Sequence, residues 1–166
     1  MTVPTLRIGQ GVDVHPFSDD PDRPLLLCGV PIPGATGLAG HSDADAGLHA
    51  VADALLGAAA LGDLGERFGV DRPGTAGADS SGLLAAVVED VVRAGWQVGN
   101  LDVTIVAQRP RLAGHRAAMR ARLASLCEVD LAAVSVKFTT TDHLGAFGRG
   151  EGVLALATCL LVARQR

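Results

Sequence analysis

Apolar residues recur at helical spacing in the middle of the first half of the chain. Leu48, Val51, Ala52, Leu55, Leu56 and Ala59 fall at i, i+3, i+4, i+7, i+8 and i+11, the stripe of a helix laid against a core. Ser42 with Asp45 three residues on resembles a capping box, and Gly62 is a stop signal, so the pattern predicts a helix over about 42–61. Asp45, His49 and Asp53 are spaced four apart and share a second, polar face of that helix. Strand signals fall at Leu6–His15 and Leu25–Ile32, with an Asp/Pro-rich turn at Ser18–Pro24 between them. Further strands are expected where Leu101, Val103 and Ile105 alternate with polar residues, where Val134, Val136 and Phe138 do the same, and at Val153–Val162. Ser80 or Ser81 caps a second helix that turns Leu83, Leu84, Val87, Val88, Val91 and Val92 inward and ends at Gly95. Pro110 stands at or just before the start of a third, with Ala118, Met119, Leu123 and Leu126 inward. Gly62–Ser81 has no periodicity and reads as a long loop, of the kind that is functional or mobile. Helices and strands mix without a regular βα repeat, which predicts a single two-layer α+β domain over residues 1–166.

Composition narrows the class. A chain of 166 residues is long enough for a real core, and its net charge of −4 with no basic run argues against a nucleic-acid surface. No N-terminal apolar segment follows a charged one, and the longest apolar run, Val153–Ala163, is too short to span a bilayer. Cys28, Cys127 and Cys159 are odd in number and scattered, as buried thiols of a reduced cytoplasmic protein would be. An apolar content of 48% with only 3% aromatics is high for a small soluble chain and points to a subunit interface.

Three stretches carry candidate chemistry. Asp13 and His15 lie two apart on a strand and so point to one face; with His49 they make the three-ligand complement of a zinc site with an open fourth position. On spacing alone, the alternative that Asp13 turns the chain and His49 is a satisfied helix residue stays open. His41-Ser42 stands at a helix start, where free N–H groups and the dipole favour an anion, though an ordinary cap looks the same. Thr139-Thr140-Thr141-Asp142 offers three hydroxyls and a carboxylate after a strand, suited to phosphate and a hard cation, or reflects β propensity alone. Gly148-Arg149-Gly150-Glu151-Gly152 is not a dinucleotide loop, because Val153 replaces the third glycine and no helix follows.

Five segments in order, RIGQGVDVHPF, GLAGHSDADAGLHAVADALLGAAALGDLG, GADS, NLDVTIVAQRP with HRAAMR, and VKFTTTDHLGAFGRGEGV, span Arg7 to Val153. Together they resemble the 2-C-methyl-D-erythritol 2,4-cyclodiphosphate synthase family of the non-mevalonate isoprenoid pathway. The resemblance implies a two-layer α+β sandwich, with a mixed four-stranded sheet and helices on one face, in a homotrimer with active sites between subunits. It implies closure of 4-diphosphocytidyl-2-C-methyl-D-erythritol 2-phosphate into the cyclic diphosphate, with release of CMP. By the same resemblance Asp13, His15 and His49 bind Zn2+, and Asp142 binds Mg2+ or Mn2+ where the family has Glu. His41 and Thr140 are implied in catalysis, and the substrate is held by Asp13, His15, His41, Ser42, Asp63, Gly65, Phe68, Asp71, Ala107, Arg111, Thr139, Thr140, Thr141, Asp142 and Arg149. The region of Arg149 and Glu151 borders a central cavity that accepts isoprenoid diphosphates in the family. Neither nucleic acid nor membrane is implied as a partner.

Some positions depart from the family pattern. The segment Phe68-Gly69-Val70-Asp71-Arg72-Pro73 stands where FPDTDP is usual, Arg111 replaces a common Lys, and Ala146 stands where an aromatic is frequent. Two alternatives follow: a catalytically weak trimer that only binds nucleotide or isoprenoid diphosphates, and a zinc-dependent phosphohydrolase on the same site.

Overall fold

The computed structural model describes residues 5–69 and 79–164. In chain order they form strand β1 (Leu6–Pro16), a two-residue ladder of β2 (Leu26–Leu27) and β3 (Val30–Pro31), and helices α1 (Ala46–Ala59), α2 (Leu64–Phe68) and α3 (Ser80–Arg93). Strand β4 (Trp96–Val106), helix α4 (Arg116–Leu126), strand β5 (Val134–Thr139), the single turn α5 (Gly145–Gly148) and strand β6 (Gly152–Ala163) follow. Four strands make the main sheet in the order β1-β6-β4-β5, with β6 antiparallel to both neighbours and β4 parallel to β5. That is the mixed sheet expected from the sequence, and the C-terminal ends of β1, β4 and β5 all lie at one end of it.

Period-two burial along the strands sets the layers. Gly9 and Gly11 of β1, Leu101, Val103 and Ile105 of β4, and Val153, Ala155, Ala157, Cys159 and Leu161 of β6 are buried. Against them pack Leu48, Val51, Leu55 and Leu56 of α1, Leu84, Val87 and Val91 of α3, and Met119 and Leu123 of α4. Helix α1 lies directly on β1: a Cβ added at Gly9 would stand 1.9 Å from the Ala54 carbonyl oxygen, and one at Gly11 2.0 Å from that of Ala50. Only glycine permits so close an approach of helix and strand.

Several boundaries differ from the sequence reading. Leu25–Ile32 is not one strand but a tight hairpin, turned at Cys28 and Gly29 with φ of 53° and 72°. Helix α1 starts at Ala46 with Asp45, not Ser42, as its cap, because the Asp45 carboxylate accepts from Leu48 N. It ends in a left-handed Ala60 before Gly62 is reached. Within Gly62–Ser81, Asp63 accepts from Glu66 N and nucleates the short α2, and the cap of α3 is Asp79, one residue ahead of the two serines. The last long helix starts six residues beyond Pro110, after a 3-10 turn at Ala113–His115, and leaves Ala118 exposed. Cys28, Cys127 and Cys159 are free and buried as expected, and burial pushes the Cys127 thiol up to about 12.

Candidate functional site

Asp13 and His15 leave β1 on its helix-facing side, and the close seat of α1 on Gly9 and Gly11 brings His49 over them. Three donor atoms converge there. Asp13 Oδ2 is 2.9 Å from His15 Nε2 and 3.1 Å from His49 Nδ1, and the two ring nitrogens are 3.3 Å apart. A tetrahedral ion with ligands at about 2.0–2.1 Å has ligand–ligand edges of about 3.3 Å, so the donor set matches zinc in both type and spacing. Among the described residues these three form the one His/Cys/Asp/Glu group with metal-ligand spacing.

The ring orientations follow from what stands behind each histidine. The Nδ1 of His15 is 2.8 Å from the Ala39 carbonyl oxygen. A carbonyl only accepts, so Nδ1 carries the proton and Nε2 turns a lone pair toward Asp13. A lone pair facing a carboxylate at 2.9 Å needs a cation between them, either a proton or a metal. The charges around the pair act in the same sense. Burial disfavours the His15 cation, but the hydrogen bond and charge of Asp13 outweigh it and raise the His15 pKa above its ordinary value. Burial likewise works against the Asp13 anion, and the hydrogen bonds and charges of His15 and His49 overcome it, holding this carboxyl well below the usual range.

A cavity of about 280 Å³ opens over the triad and is lined also by His41, Ser42, Asp53, Leu64, Gly65, Phe68, Gly69 and Leu83. Asp53 is a residue the sequence reading left without a role beyond its place on the polar face. Its pKa is raised, by burial first, and one oxygen accepts from Leu64 N at 2.8 Å, tying α1 to α2 across the mouth. The spacing of four from His49 was the available signal.

Other predicted positions divide between this cavity and elsewhere. Asp45 shares the sequence register of His49 and Asp53 but is fully buried, its carboxylate accepting from Cys28 N, Gly29 N and Leu48 N. The start of α1 is therefore already occupied by an anion, so His41 and Ser42 face the cavity from the loop ahead of the helix rather than from its terminus. Asp63 commits an oxygen to capping α2, while Gly65 and Phe68 line the cavity wall. Asp71 lies outside the described residues.

Ala107, Arg111, Thr139 and Thr140 line a second cavity, of about 210 Å³, with Ile105, Pro110, Leu112 and Phe138. It is at the same end of the sheet as the triad but at the opposite edge, since β1 and β5 are the two outer strands. Three strand spacings, roughly 14 Å, separate them. Thr141 donates to the Leu144 carbonyl at 2.6 Å and lines neither cavity. Asp142 is exposed at a φ of 51°, with its carboxylate 3.4 Å from Thr140 Oγ1, and is not brought to the Asp13–His15–His49 group. Arg149 is exposed and paired with Glu151 at 2.5 Å.

The YgbB family model matches residues 6–162. The chain is similar to 2-C-methyl-D-erythritol 2,4-cyclodiphosphate synthases from Halalkalibacterium halodurans (52% identical, 95% of this chain and 99% of that one) and Alcanivorax borkumensis (50%, 95% and 97%). Among solved structures it is similar to the CDP complex of IspF from Plasmodium falciparum, with a TM-score of 0.86 at 27% identity over 99% of this chain and 100% of that one. It also matches the bifunctional IspDF of Campylobacter jejuni, with a TM-score of 0.91 at 39% identity over 95% of this chain, and spans 42% of that longer protein.

Proposed function

Because the chain belongs to the YgbB family and has the activity of a 2-C-methyl-D-erythritol 2,4-cyclodiphosphate synthase, we propose how its residues divide the work of that reaction. The 2-phosphate of the cytidine diphosphate-linked substrate attacks the β-phosphorus of its own diphosphate. A new phosphorus–oxygen bond closes the ring, and the bond to CMP breaks, with CMP leaving as the anion. An anion approaches an anion, so the site must neutralise charge and hold a folded substrate.

The single observation that carries the assignment is the convergence of Asp13, His15 and His49 with zinc-ligand spacing at the floor of a cavity. Zinc held by these three residues would supply a Lewis acid to the diphosphate. His41 and Ser42 meet phosphate from the cavity rim, and the α2 wall of Gly65 and Phe68 excludes water beside the methylerythritol part. Arg111, with Ala107, Thr139 and Thr140, holds the cytidine nucleotide in the second cavity, the guanidinium facing phosphate charge. Asp142 would hold Mg2+ or Mn2+, which would supply a second positive charge to the diphosphate. Thr140, within reach of Asp142, orients the leaving phosphate, and Asp71 and Arg149 complete the contacts the family resemblance implies. A CDP complex of a 35% identical synthase, with a TM-score of 0.84, supports a nucleotide-linked substrate.

The two cavities lie at opposite edges of one chain's sheet, which supports a substrate held between two subunits of a homotrimer. The outer face of the sheet supports it further. Leu6, Ile8, Val12 and Val14 are exposed there and pair across the ladder with Val162, Leu160, Leu156 and Leu154. A central cavity near Arg149 and Glu151 that takes isoprenoid diphosphates would follow from the same assembly. No described helix is long and apolar enough to cross a membrane.

Phosphorus NMR of the protein with substrate and magnesium, with and without a zinc chelator, tests the reading. CMP and the cyclic diphosphate are expected, lost on chelation and restored by zinc. Nucleotide binding without turnover, or release of free phosphate, would overturn it.

A further inference from the structure

Behind His49, on the side away from Asp13, stands a polar chain that the reaction does not use. His49 Nε2 is 2.9 Å from Ser80 Oγ, and Ser80 Oγ in turn donates to Asp43 Oδ1. The other Asp43 oxygen accepts from Ser80 N at 3.0 Å, and Asp45 N reaches Oδ1 at 3.2 Å. Ser80 is buried and His49 nearly so. A hydroxyl has one proton. Both Asp43 oxygens are engaged as acceptors, so the Ser80 proton goes to the carboxylate and its lone pair faces His49. Ser42 Oγ, the other group near Nε2, is farther at 3.3 Å and already accepts from Ala44 N.

We infer that Ser80 and Asp43 are positioning residues for the metal. Ser80 accepts the His49 Nε2 proton, which leaves Nδ1 unprotonated and aimed at the point shared with Asp13 and His15. The two histidines are thus held as opposite tautomers. His15 is backed by the Ala39 carbonyl and presents Nε2; His49 is backed by Ser80–Asp43 and presents Nδ1. Ligands fixed from behind in this way bind metal about 10–100-fold more tightly than unsupported ones. Ser80 opens α3 and Asp43 precedes α1, so the same contacts lock α1, which carries His49, to the start of α3.

The inference rests on Asp13, His15 and His49 being the metal site, and the test separates the two. Zinc affinity is measured by competition with a chromophoric chelator for the parent, Ser80→Ala, Ser80→Thr and His49→Ala, all as full chains. Ser80→Ala is expected to lose 10–100-fold, and Ser80→Thr, which keeps the hydroxyl, to remain within a few-fold of the parent. Parent-like zinc binding by His49→Ala would sink the metal site itself. If His49→Ala loses zinc while Ser80→Ala binds like the parent, or if Thr fails to restore what Ala loses, the positioning role alone is overturned. Long-range proton–nitrogen NMR of the zinc-loaded parent needs no variant: His49 is expected to carry zinc on Nδ1 and a slowly exchanging proton on Nε2, held by Ser80. Zinc on Nε2, or an Nε2 proton that exchanges as fast as one open to solvent, would overturn the inference whether or not the alanine variant folds.

Discussion

At the scale of single residues the site is decided by where protons sit. Metal-free, His15 shares a proton with Asp13, and this raises its pKa above the ordinary value. A bound metal replaces that proton. The raised pKa gives a definite sign: protonated His15 stabilises the metal-free fold at low pH, and this contribution is lost as pH rises through the folded value. Zinc runs the other way, since it needs the neutral ring. The zinc-induced increase in melting temperature is therefore expected to shrink as pH falls from 8 to 6, with zinc affinity dropping by about tenfold per pH unit for each proton displaced. Scans with and without zinc across that range check it; an increment that stays constant would mean that His15 is not a ligand. Asp13 adds nothing to this window, because its carboxyl titrates far below it.

At the scale of elements, the seat of α1 on β1 is what turns a D-x-H strand and a helix histidine into a cluster. Gly9 and Gly11 leave no room for a Cβ beneath the Ala54 and Ala50 carbonyls. Gly11→Ala is expected to push α1 outward, costing about 2–3 kcal/mol of stability and weakening zinc binding as His49 moves off Asp13. Denaturant unfolding and zinc titration of that variant read both effects. A variant of unchanged stability that still binds zinc fully would show that the helix seat is not tight. The lower end of α1 is fixed differently. Burial raises the Asp45 pKa against the three backbone N–H groups that hold its carboxylate, which join the hairpin turn at Cys28–Gly29 to the helix start. A sequence reader sees Asp45 in step with His49 and Asp53 and places all three on a polar face; only the hairpin packed over the helix start removes Asp45 from it.

At the scale of the whole molecule, one sheet face packs on helices and the other presents paired apolar side chains on β1 and β6. A monomer with that face in water is at a disadvantage, which agrees with a high apolar content for its size. In sedimentation the zinc-loaded parent is expected at three times the 16.9 kDa chain mass. Ile8→Asp with Val12→Asp is expected to give folded monomers with little turnover, because each monomer keeps both cavities but no longer brings them to one substrate. Full activity from such monomers would exclude a shared site.

Helical and strand periodicities, the spacing of Asp13 with His15, the family motifs and the scattered thiols are local or ordered features. From them the sequence by itself determined the long helices, the four main strands, the α+β class and the family, but not the Leu26–Pro31 hairpin or α2. Element ends were decided by side chains that find distant partners. Asp45 caps α1 while also holding the Cys28–Gly29 turn, and Asp63 makes a helix inside a segment with no apolar periodicity. By resemblance the sequence implied that His49 joins Asp13 and His15, while spacing alone left this open. The tertiary structure alone decided that Ser80 and Asp43 stand behind His49 and that the triad and the Arg111 cavity lie on opposite edges of the sheet. Those facts depend on contacts between residues 31 to 37 positions apart and on the strand order, and no spacing along a chain encodes either.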